Sequence, residues 1–120
     1  MGIEILVGKT LTAVQHTEDE IIFLADDGKK YKLHHQQDCC ESVTVEDICG
    51  NLDNLVGSPI LRASEDTSRK NPEGIVKKLQ DSFLWTFYNF TTAKGHVTIR
   101  WYGESNGYYS ESVSFEALDK

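Results

Sequence analysis

The segment His34-His35-Gln36-Gln37-Asp38-Cys39-Cys40-Glu41-Ser42 crowds imidazoles, thiols and carboxylates into one short stretch. Soft thiolate with imidazole suits zinc, so Cys39 or Cys40 with His34 or His35, joined by Asp38 or Cys49, makes one reading. A Cys nucleophile with a His base makes another. Neither pattern is complete. There is no Cys-x-x-Cys or His-x-x-x-His spacing, and alternation along a strand sends His34 and His35 to opposite faces. Nothing supplies a recognisable oxyanion hole. The plainer reading makes one Cys a small core residue and lets His35 continue the face of Tyr31 and Leu33. The segment is therefore expected to hold a site in shape, with no catalytic residue, metal or cofactor, while His34, Asp38 and Glu41 remain candidates for touching a partner.

The second chemical stretch is Arg100-Trp101-Tyr102-Gly103-Glu104-Ser105-Asn106-Gly107-Tyr108-Tyr109-Ser110. Its aromatics could stack on a base, Arg100 could pair with a phosphate, and the glycines would let backbone donors approach a ligand. Arg100, Trp101, Tyr102, Glu104, Asn106, Tyr108 and Tyr109 are the candidate binding residues here. The competing reading is a hairpin turning at Asn106-Gly107, with Trp and Tyr filling core and rim. Gly8-Lys9-Thr10 resembles the end of a phosphate-binding loop, but its spacing and the apolar residues before it do not fit. The Asn89-Phe90-Thr91 sequon falls in an apolar strand, a poor acceptor.

Charge narrows the partners. The 120-residue chain carries 19 acidic against 12 basic residues, a net charge of −7. The acids come as Glu18-Asp19-Glu20, Asp26-Asp27, Glu46-Asp47 and Glu65-Asp66. Such a surface repels extended nucleic acid, and it suits either plain solubility or attraction to a basic partner surface. Three cysteines, two of them adjacent, do not make a disulfide framework, which favours a reducing setting. With no signal-like segment or membrane span recognisable, the chain is expected in the cytoplasm.

The elements that position these residues read as strands. Residues 11–15, 21–24 and 31–35 form a meander with Asp26-Asp27-Gly28 as a tight turn. Val43 and Val45 suggest a short strand. Ile48, Leu52, Leu55 and Val56 have helical spacing and predict one short helix over about 46–56, although Gly50 lies inside it. Residues 59–63 read as a strand opened by Pro59. Residues 64–78 read as a mobile surface loop, being polar and almost free of apolar side chains. Residues 83–91 are aromatic and β-branched on both faces, as in a covered central strand. Ala93-Lys94-Gly95 turns the chain into the alternating Val97, Ile99 and Trp101, and a last strand carries Tyr109, Val113 and Phe115. The expected architecture is a single domain over 1–120, a β-rich α+β fold. It has six or seven mostly antiparallel strands in a twisted sheet or partly open barrel, plus the one helix. Its free edges make a homodimer an expectation.

The runs Asp-Cys-Cys-Glu-Ser-Val, Gly-Ser-Pro-Ile and Trp-Tyr-Gly-Glu-Ser-Asn-Gly-Tyr-Tyr-Ser, in this order, resemble an uncharacterised family of short proteins from bacteriophages and prophage-bearing bacteria. The resemblance implies a phage-type accessory protein acting inside a bacterial host cell, and it brings no activity with it. By association, the first expectation is a non-enzymatic counter-defence inhibitor, anti-CRISPR-like, that sets its acidic surface against a basic groove of a host defence protein. The alternatives are a sponge that sequesters a small nucleotide signal, using Arg100, Trp101 and Tyr108, and a small Cys/His metalloprotein or hydrolase.

Overall fold

The computed structural model describes residues 2–35, 41–71, 82–105 and 111–118, and their regular structure is all-β. Eight strands are present among the described residues: β1 Leu11–His16, β2 Glu20–Ala25, β3 Lys30–His34, β4 Ser42–Cys49, β5 Arg62–Ser68, β6 Ser82–Thr92, β7 Gly95–Ser105 and β8 Ser114–Leu118. They form two four-stranded sheets, ordered β1-β2-β3-β8 and β4-β7-β6-β5, with antiparallel neighbours throughout and no closed barrel. The chain leaves the first sheet after β3, builds the whole second sheet, and returns through β8.

Local chemistry explains the hairpins. Between β2 and β3 the chain turns on Gly28, whose φ of 87° suits a residue without Cβ. β6 and β7 pair over their full length, from Ser82↔Ser105 to Thr92↔Gly95. Alternation then sorts the side chains. Ile21, Phe23, Tyr31 and Leu33 face inward from the first sheet, and Tyr88, Phe90, Val97, Ile99 and Trp101 from the second, all buried in one core. Phe23 and Phe90 meet across the sheets with ring centroids 5.6 Å apart, and Tyr31 stacks on Phe115 at 5.7 Å. As expected of a strand covered on both sides, β6 buries Trp85 on one face and Tyr88 on the other.

Three expectations are corrected. The helix over 46–56 is absent: β4 runs on to Cys49, and only a 3-10 turn, Leu52–Leu55, follows. A bulge at Glu46 is the reason. Val45 pairs with Trp101 and Asp47 with Arg100, so the inward residues step from Val45 to Ile48, a three-residue spacing that mimics a helix. The loop over 64–78 begins too early, because residues 64–68 belong to β5, a polar edge strand. Charge on an edge strand discourages pairing with other chains, so polarity there does not exclude a strand. Residues 72–81 lie outside the described residues. Among the described residues the last strand starts at Ser114 and pairs with β3, not with β7; the expected turn at Asn106-Gly107 lies outside them. One element was unforeseen: a 3-10 turn, Ile3–Leu6, that buries Ile3 and Leu6.

Candidate partner-binding cleft

The Arg100 to Ser110 candidates do not converge. β7 alternation sends Arg100, Tyr102 and Glu104 to the outer face of the second sheet, while Trp101 turns into the core and is fully buried. On the outer face, Tyr102 packs against Trp85 at 4.5 Å between centroids, and the Arg100 guanidinium lies 5.3 Å from the Trp85 ring. Arg100 also reaches Asp47, Nη2 to Oδ2, at 3.6 Å. Its charge is thus already engaged by a carboxylate and an aromatic face. Asn106, Tyr108 and Tyr109 lie outside the described residues.

The histidine segment divides likewise. His34 points outward from β3, with Nε2 3.0 Å from Glu116 Oε1 on β8. His35 turns inward to Glu41, Nε2 to Oε2, at 2.9 Å, and its Nδ1 lies 2.8 Å from the Ser112 carbonyl. A carbonyl oxygen only accepts, so Nδ1 carries its hydrogen. The Glu41 contact then needs one further proton, on the imidazole as an ion pair or on the carboxyl as a donor. Both side chains are almost wholly buried. The pair sits where the chain passes between sheets, and it pins β3, β4 and β8 together. Asp38, Cys39 and Cys40 lie outside the described residues. Cys49 is exposed and donates to Asp47 at 3.5 Å. Among the described residues no group of three His, Cys, Asp or Glu side chains could hold a metal ion.

A different place gathers unassigned chemistry. An open cleft of about 890 Å³ runs between the end of β1 and the outer edge of β4. That is toward the upper end of the roughly 300–1,000 Å³ usual for ligand sites. Its floor is apolar and half-buried, made by Val14, Val45, Ile48 and Leu52. Its rim carries four carboxylates, Glu18, Glu46, Asp47 and Asp53, together with His16. The Val45 N–H donates to the Glu18 carbonyl at 2.6 Å, closing one end and clamping the two sheets. Asn51 shapes the other end, accepting from the Asp53 N–H at 2.9 Å to start the 3-10 turn.

Residues 4–115 match the family described as Domain of unknown function (DUF7448). The chain belongs to that family. No curated protein and no solved structure matches it.

In this DUF7448 protein the cleft was only half visible beforehand. The groups Glu18-Asp19-Glu20 and Glu46-Asp47 stand out in the sequence, but nothing there says they face each other. Their meeting depends on β1 and β4 being edges of different sheets. The usable signal was the alternation of Val43 and Val45 running straight into Glu46-Asp47, an apolar strand face bordered by acid.

Proposed function

We propose that this protein is a non-enzymatic binding protein, a phage-type accessory factor that inhibits a host defence protein by occupying a basic surface on it. The observation that carries this reading is the cleft between β1 and β4, where Glu18, Glu46, Asp47 and Asp53 rim an apolar floor. A cleft walled by one sign of charge attracts the opposite charge, and half-buried aliphatics beneath it add contact area once a partner docks. Nucleotide capture has less support, since Trp101 is buried on the face opposite Arg100 and Tyr102.

Co-purification from host cells tests the reading, comparing the native protein with a Glu18→Lys, Asp53→Lys double variant and with Asp26→Lys, a charge reversal outside the cleft. The native protein and Asp26→Lys are expected to retain the same basic partner, and the double variant to lose it. Retention that ignores the cleft charges would overturn the proposal.

A further inference from the structure

Resting on that reading of the cleft, we infer that its occupant is an extended basic segment of the partner, added as a further strand along the free edge of β1. The backbone sets this geometry. The Thr17 N–H donates to the Glu20 carbonyl at 2.9 Å, which makes 17 and 20 a hydrogen-bonded pair at the mouth of the β1–β2 hairpin. Such pairs alternate along an antiparallel ladder. The register His16↔Ile21, Gln15↔Ile22 and Val14↔Phe23 therefore aims the N–H and C=O of Gln15 at β2, and those of Val14 and His16 away from it. Both Val14 and His16 line the cleft. No described strand pairs with β1 on that side, where the sheet order ends.

Nearer the start of β1 the same edge is already taken, because the Gly57 N–H donates to the Leu11 carbonyl at 2.9 Å. Among the described residues, 14–16 are thus a short open length of ladder between two closed ends. A strand entering there would carry one set of side chains over the apolar floor of Val45, Ile48 and Leu52, while the carboxylates of Glu18 and Asp53 on the rim of the same cleft attract long basic side chains. Apolar residues alternating with Lys or Arg satisfy both. Charge complementarity selects such a segment over an acidic or neutral one.

The probe is a peptide alternating Lys and Val, titrated into the full-length protein by fluorescence anisotropy. Alongside it go its Glu–Val counterpart and a version N-methylated at every second residue, which keeps charge and side chains but removes donors. The Lys–Val peptide is expected to bind, the Glu–Val peptide not, and N-methylation to weaken binding about tenfold or more. His16→Pro deletes an N–H that points away from β2, a position edge strands tolerate, and should weaken binding similarly while His16→Ala does not. Unchanged affinity of the N-methylated peptide would overturn strand addition and leave the acidic-cleft reading standing. No binding of the Lys–Val peptide would overturn both. A native dimer whose cleft the peptide cannot enter would make a second copy the occupant, again overturning the inference. Should His16→Pro fail to fold, the methylated peptide decides alone.

Discussion

Glu111 is a carboxylate whose surroundings work against its burial and win. Burial alone would raise its pKa, but hydrogen bonds from Ser82, Ser105 and Arg69, with the Arg69 charge, hold it below the ordinary carboxyl range. The Ser105 hydroxyl donates at 2.8 Å and Arg69 Nη1 at 3.1 Å. Since the Arg69 side chain is 65% exposed, its charge is screened, and the hydroxyl donors account for most of the effect. A folded pKa below the unfolded one means the unfolded chain binds the extra proton first. Stability from Glu111 is then complete above the ordinary carboxyl value of about 4.3 and drains away as pH falls through the lowered one. Glu111→Gln should cost about 1–3 kcal/mol at neutral pH, because donors are left poorly matched, and should flatten the acid limb of the stability profile. Urea unfolding between neutral and strongly acidic pH measures both. Tyr88 presents the contrasting case. Burial, helped by its hydrogen bond to Glu65 at 2.5 Å, pushes the phenol above its ordinary range. Glu65 is itself exposed and can turn to water. Tyr88→Phe should therefore cost no more than about 1.5 kcal/mol in the same assay.

Among the elements, β7 does the most positioning, and one of its residues shows why. A Cβ added at Gly103 would lie 2.5 Å from the Glu111 carbonyl oxygen and 3.1 Å from Val43 Cγ2. The glycine lets the segment that re-enters the first sheet cross tightly over β7. Gly103→Ala should destabilise the fold by about 1–3 kcal/mol, the usual cost of forcing backbone apart in a packed site, read as a lower urea midpoint. Elements whose partners are close in sequence were legible. The β6–β7 hairpin follows from aromatic alternation around Ala93-Lys94-Gly95, and the β2–β3 hairpin from Asp27-Gly28. Elements fixed by distant partners were not. β4 looked helical because the bulge at Glu46 changed its step, and only the fit of Val45 and Ile48 against Trp101 and Ile99 reveals a strand. β5 has hardly any apolar signal, and β8 pairs with a strand from the other end of the chain. The cleft was hidden for the same reason, since its rim joins acids from either side of β3.

At the scale of the molecule, two sheets built from interleaved stretches of chain share one core. Buried residues from β1, β2 and β3 belong to the same cluster as those from β4, β6 and β7. Phe90 stands at the junction, fully buried on the central strand β6 and in ring contact with Phe23 of the other sheet. Neither sheet covers its own inner face, so neither should persist once the other is lost. Phe90→Ala removes the cross-sheet ring contact and leaves a cavity among Phe23 and its neighbours, at a cost of about 3–5 kcal/mol. With a single core, that loss should lower the unfolding midpoint of both sheets together. Far-ultraviolet circular dichroism, which reads the strands, and tryptophan fluorescence, dominated by Trp85 and Trp101 of the second sheet, should give coincident transitions in the native protein and in Phe90→Ala. Fluorescence falling ahead of the strand signal would mean that the first sheet holds without the second. The clamp from Val45 to Glu18 would then be too weak to keep the cleft walls in register.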